Sequence, residues 1–110
     1  MKIEDYLNTL PESILSGQDI QLPKQTFREI FKFVRLDKDD VFYHLGCGDG
    51  TGLVIAKEEF SAKKVTGVDN SKEKIDSANE LLNEKNILDV NTVLDDVTNV
   101  NIDDADVILF

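Results

Sequence analysis

Residues 41–52 read VFYHLGCGDGTG, and the chain's chemistry is concentrated in that stretch. Gly46, Gly48, Gly50 and Gly52 fall at every second position. They lie between a β-branched and aromatic run, Val41 to Leu45, and an apolar pattern that resumes at Leu53. Glycines at a strand-to-helix turn let the backbone bend sharply and lay bare amide groups at a helix amino end, where a ligand can rest on them. This is the local chemistry of a nucleotide-type site. Two acidic positions follow: Asp69, about 20 residues past the glycines, and the pair Asp95-Asp96. A carboxylate at the first of these distances accepts hydrogen bonds from both ribose hydroxyls; its alternative use is to cap the helix that follows.

The spacing excludes two common nucleotide sites. A dinucleotide fingerprint needs GxGxxG/A, and counting from Gly46, Gly48 or Gly50 puts Thr51, Leu53 or Ile55 at its last position. A phosphate-gripping P-loop needs Gly-Lys-Ser/Thr, which does not occur.

The surrounding pattern supplies the elements that must position these groups. Ile3, Tyr6, Leu7, Leu10 and Ile14 recur at helical spacing, interrupted by Pro11, and predict a helix over 1–9 with a short further turn. Residues 17–23 form a connector, and Phe27, Ile30, Phe31 and Val34 share one face of a helix over 25–34. After a polar turn at 37–40 comes a strand over 41–45, then a helix from the glycine loop to about Phe60. A second strand runs from Lys63 and ends at Val68 and Asp69. Asn70 and Ser71 are both competent caps for a helix carrying Ile75, Ala78, Leu81 and Leu82, with Glu73 in its first turn and Asn86 at its left-handed end. A third strand over 90–94, a polar loop over 95–104 and a fourth strand from Ala105 to Phe110 complete the chain. Strands alternating with helices build a parallel sheet, and parallel sheets take ligands at the carboxyl ends of their strands.

Composition narrows the function. The 110 residues, 12.4 kDa, make one domain at most, 41% hydrophobic and 31% charged, and no apolar run is long enough to span a membrane, from which a cytoplasmic location is expected. One cysteine, Cys47, and one histidine, His44, give neither an internal disulfide nor a zinc-type ligand cluster. A net charge of −10 disfavours nucleic acid and anionic membrane surfaces as partners.

The set LGCGDG at 45–50, VTGVD at 65–69 and Asp95-Asp96 after the third strand resembles the S-adenosylmethionine site of class I methyltransferases, over residues 41–110. That resemblance implies an α/β, Rossmann-like parallel sheet of about four strands in the order 3-2-1-4 with flanking helices over 37–110. An N-terminal helical segment over 1–36 precedes it, and the remaining strands of the full fold are absent. It implies S-adenosylmethionine as cofactor, bordered by His44, Gly46, Cys47, Gly48, Gly50, Asp69, Asn70, Asp96 and Val97. Asp69 would hold the ribose, Asp96 the adenine amino group and the Val97 amide a ring nitrogen, with Asn70 beside the adenine. Together with the upstream LPKQTFREIFKFVRLDKDDV, the loop is also similar to a small archaeal and mitochondrial group that includes protein-lysine methyltransferases. In that group a Pro-Thr segment reaches toward the cofactor; here Lys24 and Gln25 separate Pro23 from Thr26.

Two departures from the pattern matter. His44 stands where the family carries an acid near the cofactor's ammonium group; a neutral imidazole accepts a hydrogen bond there, and an imidazolium repels. The resulting expectation is cofactor affinity that weakens as pH falls through about 6.5, against a plain reading of His44 as a strand-end residue satisfied by backbone. The chain also stops at Phe110, inside or at the end of its fourth strand, so the strand from Ala105 to Phe110 is an apolar edge from which either self-association or a longer parent protein, of which this is a piece, is expected. Cys47 reads as a small residue fitted between glycines and Asp49 as a loop acid, exposed or ordering the loop; Tyr6 and Tyr43 have no evident partners. Two functions compete on these grounds. One is the cofactor-binding portion of a methyltransferase acting on a protein or small-molecule substrate, protein lysine among them. The other is a non-catalytic module that keeps the fold and uses its surfaces for association.

Overall fold

The structure, a computed structural model, describes residues 22–110. The helix expected over 1–9, Tyr6 and most of the 17–23 connector lie outside them. Pro23, in extended conformation, leads into helix α1, Lys24–Phe33, whose Phe27, Ile30 and Phe31 face inward at spacings of three and one. Strand β1, Val41–Leu45, enters the glycine loop, and helix α2, Thr51–Glu58, leaves it. Five consecutive α2 residues, Gly52 to Ala56, are buried, so this helix is enclosed nearly all round. Strand β2, Lys64–Asp69, is followed by helix α3, Lys72–Glu84, with Ser71 as its cap and Asn86 left-handed past its end, as the sequence predicts. Strand β3, Val90–Leu94, a 3₁₀ turn over Val97–Asn99 and strand β4, Val107–Leu109, follow.

The four strands are parallel and ordered β3-β2-β1-β4, the expected topology. Chain direction across the sheet reverses at β1, whose neighbours are β2 and β4, and the carboxyl edge at this switch point is where such sheets hold ligands. The registers Leu45↔Val68, Asp69↔Leu94 and His44↔Leu109 bring the glycine loop, Asp69 and the 95–96 segment to that one edge.

Strand alternation divides the core. Phe42, Val65 and Leu109 meet the helices, in a cluster with Phe27, Ile30, Phe31, Leu53, Ile55 and Ile75. Tyr43, Leu45 and Val68 point to the opposite face, where Val97, Val100, Ile102 and Ala105 of the β3–β4 connection lie across them. A bidentate ion pair between Arg28 and Glu59, at 2.8 and 3.0 Å, ties α1 to the end of α2.

Several boundaries move. Helix α2 ends at Glu58 rather than near Phe60, and Phe60 turns back to stack edge-on against Phe31 at 5.5 Å. The fourth strand is shorter than 105–110. The Asp106 carboxylate accepts from the Val41 N–H at 2.8 Å and its N–H donates to the Val41 carbonyl, so pairing with β1 begins one residue later. Phe110, 73% exposed, lies beyond the strand. Tyr43 has a partner after all, its hydroxyl donating to Asp104 at 2.7 Å with Lys64 above the ring.

Candidate functional site at the carboxyl edge

Alternation of glycines in the loop has a direct conformational cause. Gly46, Gly48 and Gly50 all adopt positive φ, at 81°, 57° and 86°, a region that side chains rarely tolerate. The turn they make is held from below. Gly46 and Cys47 N–H groups share the Val68 carbonyl at 2.7 and 3.0 Å, Gly48 N–H donates to Asp69 Oδ2 at 3.0 Å, and Gly50 N–H returns to the Cys47 carbonyl at 3.1 Å. Gly52 is needed for space rather than φ. A Cβ there would sit 2.7 Å from Phe27 and 3.0 Å from His44 Nδ1. The first backbone bond within α2 is Val54 N–H to Gly50 carbonyl, so the Gly52 and Leu53 N–H groups precede it and lack intrahelical acceptors.

Asp69 is buried, and both its oxygens are engaged: Oδ2 by Gly48 N–H and Oδ1 by Ser71 N–H at 2.9 Å. It does not cap α3; the Ser71 hydroxyl does, accepting from Lys74 N–H at 3.3 Å. Each carboxylate oxygen retains acceptor capacity for a second donor. Asn70 beside it is exposed. Asp96 Oδ1 accepts from the N–H and hydroxyl of Thr98, at 2.9 and 2.7 Å, which holds its carboxyl below the usual range and starts the 3₁₀ turn. The Val97 amide, first in that turn, lies ahead of any acceptor within it. Asp49 orders the loop rather than hanging free, its Oδ1 receiving Thr51 N–H and hydroxyl at 3.0 and 2.8 Å. Both turns share the spacing Asp-x-Thr, a side-chain-to-backbone signature that identifies them in the sequence once it is sought.

Cys47 and His44 face away from open solvent. The Cys47 side chain is fully buried beside Gly67 and Leu53, and burial pushes its thiol up to about 12, which removes it as a nucleophile. His44 is 4% exposed, edge-on to Phe27 at 5.6 Å and against Gly52. The expected backbone partner is absent for its Nδ1, which has no hydrogen bond among the described residues. Burial lowers its pKa to about 4, against the opposing pull of Asp69 and Asp49. A titration near 6.5 is therefore corrected: desolvation among aromatic rings outweighs two nearby carboxylates, and the imidazole is neutral throughout the physiological range.

A parallel sheet in the order β3-β2-β1-β4, with a glycine turn after β1, an acid ending β2 and a carboxylate-started turn after β3, defines a Rossmann-like fold. Residues 42–110 match the methyltransferase domain family, and the chain belongs to that family. It is 34% identical over 59 residues to a protein-lysine N-methyltransferase of Saccharolobus islandicus, a match covering 54% of this chain and 37% of that protein. Among solved structures it is similar to an RNA methyltransferase from Salinibacter ruber in complex with S-adenosyl-L-homocysteine. There the TM-score is 0.77 at 23% identity, covering 81% of this chain and 58% of the other. A dimethyladenosine transferase from Plasmodium falciparum gives 0.70 at 19% identity, covering 81% and 31%. The chain thus spans little more than a third of the curated relative and 58% of the Salinibacter structure.

Proposed function

We propose that this domain binds S-adenosylmethionine and forms the cofactor side of a methyltransferase. The observation that carries the reading is the convergence of Gly48 N–H, the Asp69 carboxylate and the Asp95 N–H at one sheet edge, the last donating to the Asp69 carbonyl at 3.1 Å. In this reading the free acceptor positions on Asp69 take the two ribose hydroxyls. Asp96 takes the adenine amino group, the Val97 amide a ring nitrogen, and exposed Asn70 borders the base. Gly46, Gly48 and Gly50 let the amino-acid end lie against backbone, while His44 and Cys47 support the loop from beneath.

The bound sulfonium supplies an already activated methyl group. What remains for the protein is alignment of donor and acceptor and exclusion of water, so no acid-base residue is needed on the cofactor side. A basic substrate suits the net charge of −10, and the Saccharolobus relative favours protein lysine over RNA. Thermal unfolding with S-adenosylmethionine and, separately, NAD tests the cofactor: binding to the folded state raises the midpoint with the first alone. No shift with S-adenosylmethionine at millimolar concentration would reject the assignment. Transfer of labelled methyl to a lysine-rich protein, compared with an RNA oligonucleotide, tests the substrate class.

A further inference from the structure

The two faces of the sheet are covered unequally. Helices α1, α2 and α3 all contribute to the cluster that packs on one face through Phe42, Val65 and Leu109. On the other face, around Tyr43, Leu45 and Val68, no α-helix joins the cluster among the described residues, and the cover is the β3–β4 connection with Val97, Val100, Ile102 and Ala105. Those four are only half-buried, as are Val41, Val93 and Ile108 of the strands beside them. Parallel sheets bury both faces, and helices are their usual cover. Here one irregular layer leaves apolar side chains partly in water.

Charge is divided in the same way. Residues 22–85 hold 12 acidic against 11 basic side chains, whereas six aspartates and no lysine or arginine follow Lys85. Asp89 and Asp104 are ion-paired, with Lys57 and Lys64; Asp95, Asp96, Asp103 and Asp106 are exposed and have no cation against them among the described residues. The connection that carries them crosses the face from the carboxyl end of β3 to the start of β1, where Asp106 meets Val41. Exposed carboxylates thus border half-buried valine and isoleucine along its length.

We infer that this face is a docking surface for a cationic amphipathic helix of a partner protein, with its apolar stripe against Val100, Ile102 and Ile108 and its lysines or arginines beside Asp103 and Asp106. Charge selects the occupant. A second copy of this chain brings a further net charge of −10, and residues 1–21 hold four acids against one base, so both are repelled where a basic helix is drawn in. The surface lies on the face of the sheet rather than at its carboxyl edge, and the inference stands apart from the cofactor reading.

The probe is a peptide of about 14 residues, roughly 21 Å long as a helix, with leucines at helical spacing and lysines between them, titrated into the full chain at low salt. Its controls are the same residues in strict alternation and an oligolysine of equal charge. Wild-type amide resonances should move over 97–106 rather than along α1 or α3, with the helical-period peptide binding roughly tenfold more tightly than either control. Asp103→Lys should weaken that binding roughly fivefold, and Glu80→Lys, the same charge change on exposed α3, by less than about twofold. Equal binding of the three peptides, or equal weakening by the two variants, would reduce the effect to net charge and overturn the inference. Shifts confined to the glycine loop and Asp69, and lost when S-adenosylmethionine is added, would overturn it by making the peptide a substrate mimic. Shifts over 97–106 that follow protein concentration without peptide would give the face to a second copy instead. The wild-type shifts decide the matter if a variant fails to fold.

Discussion

At the residue scale, His44 converts burial into a dependence of stability on pH. In the folded chain its pKa is about 4, lowered by desolvation, whereas in an unfolded chain it returns to the ordinary 6.5. Between these values the unfolded state binds the extra proton, so the contribution is fully present above pH 6.5 and is lost as pH falls toward 4. From pH 7 to pH 5 the loss amounts to about 2 kcal/mol, an order-of-magnitude figure. Denaturant unfolding at the two pH values measures it. His44→Phe, which keeps an aromatic ring among Phe27, Phe42 and Gly52, should flatten the dependence over this range. An equal slope in the variant would place the titration elsewhere. Cofactor affinity, in the proposed function, should by contrast stay level between pH 8 and 6, since the imidazole is already neutral there. Calorimetric titration across that window checks it.

At the element scale, α2 is the helix most constrained by its neighbours, and Gly52 is its tightest point. Alanine is the better helix former by about 1 kcal/mol, yet a Cβ at 2.7 Å from Phe27 and 3.0 Å from His44 would press on two buried rings. Overpacking of this kind costs roughly 1–3 kcal/mol, so Gly52→Ala should destabilise on balance, read as a lower denaturant midpoint with unchanged slope. A midpoint at or above the wild type would mean that the rings can yield. The glycines of the loop stand out in the sequence, but this reason for the fourth does not, because its partners, Phe27 and His44, come from distant segments. Strands β1 and β3 were legible to the residue, since their apolar runs end at glycine and aspartate. Strand β4 was not: the Asp106 side chain closes on Val41, 65 positions away, and shortens the pairing. The polar composition of 95–104 likewise hid Val97, Val100 and Ile102, which cover Tyr43 and Leu45. For the site, Asp69 was placed correctly at a strand end by its spacing, while its bonds to Gly48 and Ser71 needed coordinates to be seen.

At the scale of the whole molecule, an edge and a charge act against each other. Among the described residues β4 is hydrogen-bonded on one side only, to β1, and Phe110 just past it is 73% exposed. An apolar strand with an unpaired edge is a template for another strand, and a second copy of this chain offers the matching edge. A net charge of −10 on each copy opposes that encounter at long range. Salt screens the repulsion, with a Debye length falling from about 10 Å at 0.1 M to about 3 Å at 1 M, but leaves backbone pairing and apolar contact intact. We therefore expect a monomer in dilute buffer and a growing dimer fraction as salt rises, followed by sedimentation equilibrium. Phe110→Lys adds a charge at the exposed end of β4 and should move the onset of dimers to higher protein concentration, with little effect on monomer stability because the side chain is already in solvent. A purely monomeric profile from low to high salt would show that the β4 edge does not pair with itself. The opposite trend, dimers that dissolve as salt rises, would assign association to charged surfaces instead.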